Sequence, residues 1–157
     1  MNRSKTEIRE AVIGDLAILK TFEQEIISFE RSFATNIKEN PVSYYDLKEL
    51  IIANNAQVLV AIIDNEIIGS GFAQILTNKP YLEPKQYAYL GFMFVSPQHR
   101  GRGINGELTK QLIEWAKSKN ISEIQLDVYA ENEIAKSAYN KTGFKPDLLK
   151  MRLNTSE

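Results

Sequence analysis

The sequence contains no cysteine. Disulfides, thiolate metal sites and cysteine nucleophiles are therefore all excluded. It contains one histidine, His99. A His-cluster metal site and the usual Ser-His-Asp logic have almost nothing to work with, and no metal is expected. There is no basic excess: 19 Lys and Arg stand against 20 Asp and Glu, a formal net charge of −1. A nucleic-acid partner would call for a positive surplus, so none is expected. No apolar run approaches the ~18 residues of a membrane span, and no membrane partner is expected. "MNRSKTEIREAVIGD" lacks the continuous apolar stretch of a signal peptide, so the expected setting is cytoplasmic.

What is present is ordinary for a globular chain: 157 residues, 43% apolar and 25% charged. That length predicts one domain over 1–157 with a sizeable core. "TEIREAVI" reads as a strand. "GDLAILKTFEQEIISFER" carries Leu16, Leu19, Phe22, Ile26 and Phe29 at helical spacing, with Asp15 as the expected N-cap. "SYYDLKELIIAN" reads as a second helix capped by Ser43. "AQVLVAIIDNEIIGSGFAQIL" reads as a hairpin turning at Asp64-Asn65. "QYAYLGFMFV" is apolar on both faces near its end and reads as a central strand. A helix follows from about Ile104, with Ile104, Leu108, Leu112 and Trp115 on one stripe. "ISEIQLDVYA" is another strand, "ENEIAKSAYNKT" a short helix ended by Gly143, and "LLKMRLN" a last strand. The expected order is β-α-α-β-β-β-α-β-α-β, a mixed α/β domain.

The stretch with most chemistry in it is "QHRGRGING". Glycines ahead of a helix let the backbone approach an anion, and the helix N-terminus supplies unpaired N–H groups and a positive dipole end. Arg100 and Arg102 add forked donors suited to phosphate. Gly101, Arg102, Gly103, Ile104, Asn105 and Gly106 are thus read as a phosphate cradle. No G-x-x-x-x-G-K-S/T sequence is present, and the Rossmann fingerprint fits poorly. His99 precedes the cradle in a turn and is expected to face solvent. After the next strand, Asn132 and Tyr139 are two helical turns apart and share a face. Two parallel strands, each followed by a helix, place both helix starts at one sheet edge, where the cradle, Asn132 and Tyr139 are expected to converge. For Tyr139 the simpler reading is a tyrosine packed on Phe144, and for Asn132 a helix N-cap.

In "VSPQHRGRGIN" and "IQLDVYAENEIAKSAYNKTGF", and in its element order, the chain resembles the GNAT superfamily of acyl-CoA-dependent N-acetyltransferases. Arg100 and Gly103 fill the Q/R-x-x-G-x-G/A pattern, with Asn105 where Gly or Ala is usual. Asn132, Ala135, Tyr139, Gly143 and Phe144 match N-x-x-A-x-x-x-Y-x-x-x-G-F throughout. The resemblance implies a mostly antiparallel twisted sheet with splayed parallel central strands and about four flanking helices. It implies acetyl-CoA as acyl donor, with the cradle on its pyrophosphate, the backbone of Met93, Phe94 and Val95 along its pantetheine arm, and Asn132 on that arm. Transfer would be direct to a primary amine of a small molecule or peptide, with Tyr139 protonating the departing thiolate. A homodimer is a further expectation of the resemblance. Some members carry a Glu base on the central strand where this chain has Tyr89. Candidates for the proton-taking role are therefore Tyr89, Glu30, Tyr44 and Tyr45, and the acceptor is expected beside Phe29, Glu30, Tyr44 and Tyr45. The alternative is an acyl-CoA-binding module of the same fold without turnover.

Overall fold

A computed structural model describes residues 4–156. They group into two compact units, meeting in sequence between Asp127 and Val128.

The first unit is built on a five-stranded sheet in the order β1-β2-β3-β4-β5. The strands are β1 (Glu7–Glu10), β2 (Ala56–Ile63), β3 (Glu66–Thr77), β4 (Gln86–Val95) and β5 (Ile124–Leu126). All neighbouring pairs are antiparallel except β4 and β5, which are parallel. The helices are α1 (Leu16–Glu30), α2 (Leu47–Ile52) and α3 (Ile104–Ser118). The β2–β3 hairpin turns where expected. Asp64 and Asn65 take φ values of 51° and 64°, and two successive left-handed residues give the turn whose twist suits a hairpin. Mixed α/β architecture and helix-strand order follow the sequence up to this point.

One face of the sheet carries α1 and α2. Leu19 and Phe22 of α1 and Leu47 and Leu50 of α2 bury against Val58, Val60, Phe72, Phe92 and Phe94. Apolar burial of this kind is worth about 25 cal/mol per Å² removed from water, and it is what fixes both helices. The other face receives α3 through Leu108 and Leu112, with Ala116 and Trp115 closing a second cluster on Ala88 and Ile121. Gly71 makes the close approach on this side: a Cβ there would lie 2.6 Å from Met93 Sδ and 3.2 Å from a Leu112 methyl. No helix among the described residues is long and apolar enough to cross a membrane.

Two expected caps are spent on tertiary partners instead. Asp15 stands at the N-cap position of α1, but its side chain does not cap the helix. Arg9 donates to both its carboxylate oxygens, at 2.8 and 3.1 Å, and Val12 N–H donates at 2.8 Å. The Arg9 hydrogen bond, with that from Val12, holds the buried Asp15 carboxyl below its ordinary 3.8. A carboxyl depressed on folding contributes stability that is complete above its unfolded value and is lost as pH falls through the folded value. The melting-temperature advantage of wild type over Asp15→Asn, followed by circular dichroism, should therefore shrink as pH drops below 3.8. An advantage that stays constant to lower pH would contradict this.

For α2 the cap is Asp46, which accepts from Glu49 N–H at 3.1 Å, and not Ser43. The reason lies in α1. The Glu23 carboxylate, 3% exposed, accepts from Tyr44 N–H at 3.0 Å and Tyr45 N–H at 2.8 Å, while Ser43 donates to it at 3.4 Å. Amides so engaged hold 43–45 out of the helix, which starts at Leu47.

The second unit holds α4 (Glu133–Lys141). Asn132 caps it, accepting from Ala135 N–H at 3.2 Å. Its end is a Schellman closure: Gly143 at φ 105° donates to Asn140 O, and Phe144 donates to Tyr139 O at 3.0 Å. The expected last strand does not form. Residues 148–154 carry no regular structure, and Leu148, Leu149, Met151 and Leu153 are exposed. Their alternation suits a strand, but a strand needs a hydrogen-bonding neighbour, and no strand among the described residues pairs with this segment.

Candidate active site

The sheet opens at β4. Its parallel ladder with β5 comprises Ala88↔Ile124, Tyr89↔Gln125 and Leu90↔Leu126 and goes no further. The strand expected over "ISEIQLDVYA" is thus short, and Val128 falls outside it. On its other side β4 stays paired with β3 to Val95, so from Gly91 on one backbone edge is left free of the ladder.

The same stretch carries a bulge. The β3–β4 register steps from Phe72↔Gly91 to Ser70↔Phe94, and Phe92 lies at φ 60°. A non-glycine residue in the left-handed region stores strain of order 1–3 kcal/mol, which the surroundings must hold. Here the buried Ser70 hydroxyl donates to Phe92 O at 3.0 Å, and the Phe92 backbone hydrogen-bonds Tyr45. The bulge reverses side-chain parity. Tyr89 and Phe72 lie on the α1/α2 face, and Phe92 and Phe94 come to the same face after it, while Met93 turns toward Gly71 and Leu112. Met93, Phe94 and Val95 therefore present backbone at the opening, whatever their side chains.

Beyond Val95 the chain turns through Pro97–His99 and two left-handed glycines, Gly101 at φ 80° and Gly103 at φ 77°. Gly103 occupies the N-cap position of α3, and no side chain caps the helix. The first amides of α3, at Ile104, Asn105 and Gly106, are thereby left for an outside acceptor. Asn105 lies within the first turn in helical conformation, so its side chain costs this arrangement nothing. Arg102 is exposed, and Arg100 donates through Nε to Val95 O at 2.9 Å, tying the turn to the end of β4. His99 departs from expectation: it is half-buried, and its Nδ1 is enclosed without a hydrogen-bond partner.

Next to the bulge is an aromatic and acidic group. Tyr45 packs edge-on against Phe72 and Phe92, with ring centroids 5.1 and 5.8 Å apart, and Tyr89 lies 6.3 Å from Phe72. Tyr44 stands edge-on to Tyr45 and hydrogen-bonds Glu30. Burial pushes the Glu30 carboxyl up from its ordinary value, against that hydrogen bond. Burial likewise raises the Tyr45 hydroxyl to about 12. Tyr89 is raised too, by burial and then by the charge of Asp127, whose Oδ2 accepts its hydroxyl proton at 3.2 Å. At neutral pH Tyr89 is therefore a hydrogen-bond donor and does not take a proton itself. Phe29 stands apart, 57% exposed and edge-on to Phe33. Asp127 went unnoticed in the sequence because it reads as an ordinary polar position of an alternating strand. Its place two residues after Gln125, the register partner of Tyr89, becomes visible only with the parallel pairing.

Within the second unit, Tyr139 stacks edge-on with Phe144 at 5.8 Å and Asn132 caps α4. Both simpler readings of these residues are correct as structure, and neither bars a role toward a ligand.

The comparisons with known proteins agree with this architecture. Residues 19–144 match the model of the acetyltransferase (GNAT) family, through both units. A 60-residue stretch is 38% identical to the uncharacterized N-acetyltransferase YobR of Bacillus subtilis, covering 38% of this chain and 24% of that one. The match thus spans about a quarter of that relative's length. A tetramutant of the BH1408 protein of Bacillus halodurans superposes with a TM-score of 0.84 at 21% identity, over 94% of this chain and 99% of that one. A predicted acetyltransferase of Clostridium acetobutylicum, solved with acetyl-CoA, gives 0.73 at 22% identity over 96% of each chain. At such identities these structures speak for the fold. With the family model covering most of its length, the chain belongs to the acetyltransferase (GNAT) family.

Proposed function

We propose that this protein transfers the acetyl group of acetyl-CoA directly to a primary amine of a small molecule or peptide. The observation that carries the reading is the run from the freed edge of β4 into the uncapped start of α3. A long donor with a thioester at one end and a pyrophosphate at the other needs two such features in a row. Backbone groups of Met93, Phe94 and Val95 would pair with the amide-bearing arm. The amides of Gly101 to Gly106, aided by Arg102, would take the pyrophosphate. An N–H of the bulge would steady the thioester oxygen as charge builds on it. Asn132 would hydrogen-bond the arm, and Tyr139 would give its proton to the departing sulfur. Residues Glu30, Tyr44 and Tyr45 would wall the acceptor, with Phe29 at its rim. A homodimer, a cytoplasmic setting and the absence of a metal requirement belong to the same reading.

Nothing in this scheme needs a covalent enzyme intermediate, in keeping with a sequence that has no cysteine. The relative named an N-acetyltransferase supports nitrogen as the accepting atom.

The cradle has a direct test. Gly103→Val puts a β-branched residue at φ 77°, a region such residues avoid. The turn must then rearrange, and the α3 amides shift with it. Acetyl-CoA affinity by calorimetry should fall about tenfold or more. Unchanged affinity would place the pyrophosphate elsewhere.

A further inference from the structure

We infer that Phe72, whose ring fills the space of the side chain missing at Gly91, sets the length of the acyl group the protein accepts: acetyl is admitted, butyryl and longer chains are turned away. The inference rests on the transferase reading above and adds to it a residue that selects the donor.

The strand pairing supplies the reason. Phe72 of β3 and Gly91 of β4 are register partners, and the bulge follows at once. An aromatic ring opposite a strand glycine can fold over it, because the glycine has no side chain to resist and leaves its backbone uncovered. Here the fit is close. A Cβ at Gly91 would stand 2.7 Å from Phe72 Cζ and 3.1 Å from Tyr89 Cε1. The edge of the Phe72 ring therefore takes that space itself. Gly91 is also the first residue of β4 beyond the parallel ladder, which ends at Leu90↔Leu126. The free edge of β4 thus begins beside the Phe72 ring.

An acyl-CoA arm lying along that edge has to stop where the ladder closes, and its acyl group then turns toward one face of the sheet. The α3 face is filled at this point. Leu90, which alternation with Tyr89 puts on that side, is 2% exposed. Met93 and Leu112 press so closely on Gly71 that a Cβ there would lie 2.6 Å from the Met93 sulfur. The α1/α2 face carries the residues proposed to wall the acceptor, and on that face the acyl group meets Phe72. The ring has no room to withdraw. It is 2% exposed, Tyr45 stands edge-on to it at 5.1 Å, Tyr89 is 6.3 Å away, and Phe92 belongs to the same core cluster. A close-packed group of this kind yields little to an added methylene. Acetyl ends against the ring edge, and each further carbon has to displace it.

The bonds exchanged are the same for every acyl chain. The amine, arriving as an ammonium ion, loses one proton to water and forms the N–C bond to the thioester carbon. The C–S bond breaks, and a second nitrogen proton matches the one taken up by the departing sulfur. Carbons beyond the carbonyl keep all their bonds, so chain length acts through fit.

Thiol release from acetyl-, propionyl- and butyryl-CoA, with spermidine, phenethylamine and a glycine-led tripeptide as acceptors, tests the assignment in full-length wild type, Phe72→Leu and Trp115→Leu. The quantity read is the ratio of kcat/KM for butyryl-CoA to that for acetyl-CoA. A loss of folded protein lowers both values and cancels in the ratio. Wild type should use butyryl-CoA about 10²-fold less well than acetyl-CoA, with propionyl-CoA between them, and Phe72→Leu should raise the ratio about tenfold. Trp115→Leu, a truncation in the cluster with Ala88 and Ile121, should leave the ratio at its wild-type value. A wild-type preference for acetyl-CoA of less than about tenfold overturns the assignment and leaves the transferase reading standing. So does a ratio raised less than about threefold in Phe72→Leu, and so does an equal rise in Trp115→Leu, because general loosening of the core would then explain it. If Phe72→Leu does not fold, Phe72→Met is read against the same limits. Wild type that releases no thiol from any of these donors overturns the transferase reading itself, and the role of Phe72 falls with it.

Discussion

Tyr139→Phe is expected to turn over at roughly a hundredth of the wild-type rate or less, with acetyl-CoA affinity near normal. Tyr139 sits in the last turn of α4, and its ring meets Phe144 edge-on at 5.8 Å, with the planes 81° apart. Phenylalanine retains that ring contact. The closure that brings Phe144 back, with its N–H donated to Tyr139 O, is a backbone feature and also survives. What is lost is one oxygen and its proton. A drop in kcat at constant cofactor affinity would therefore report an interaction made in the transition state, where sulfur departs with negative charge. Steady-state thiol release and calorimetry in parallel separate the two quantities. Unchanged turnover would remove Tyr139 from the acid role and leave it as a packing residue of α4.

The second large effect concerns stability. Glu23→Ala should destabilise the protein by about 2–4 kcal/mol, because it strips an acceptor from two backbone amides and opens a cavity at a 3% exposed position. The carboxylate of Glu23 stands in for the helical carbonyls that Tyr44 and Tyr45 would otherwise meet. It also sets the path of 43–45, and with it Tyr45 against Phe72 and Phe92. Urea unfolding should show a lower midpoint with an unchanged slope. Glu23→Gln, which keeps one accepting oxygen, should recover part of the loss. A cost below about 0.5 kcal/mol, the range of ordinary surface changes, would show that the 43–45 amides find other partners without difficulty.

Features governed by adjacent residues were legible in the sequence. Asp64-Asn65 specified its turn through two residues that tolerate left-handed backbone, and β4 begins and ends where its apolar run does. Asn132 and Gly143 bracket α4 as their chemistry suggests. The misses share a different cause. Asp15 and Ser43 are sound capping residues by local rules, yet Arg9 claims the first, and Glu23, far away in α1, changes the path around the second. The bulge was hidden because "YLGFMFV" is apolar throughout, and a parity reversal leaves no trace in a pattern without alternation. Asp127 was hidden because its partner is 38 residues away and becomes a neighbour only through strand pairing. The strand expected at "LLKMRLN" failed for a related reason, since alternation supplies a face to bury but no hydrogen-bonding neighbour.

The central claim is that the edge of β4 and the uncapped start of α3 serve a transfer reaction and not storage of an acyl-CoA. Mixing the wild-type protein with acetyl-CoA and a panel of primary amines, while following free thiol, tests it most directly. Saturable acetyl-CoA binding with amine-dependent thiol release is the predicted result. Tight acetyl-CoA binding with no release for any amine, or no binding at all, would contradict it.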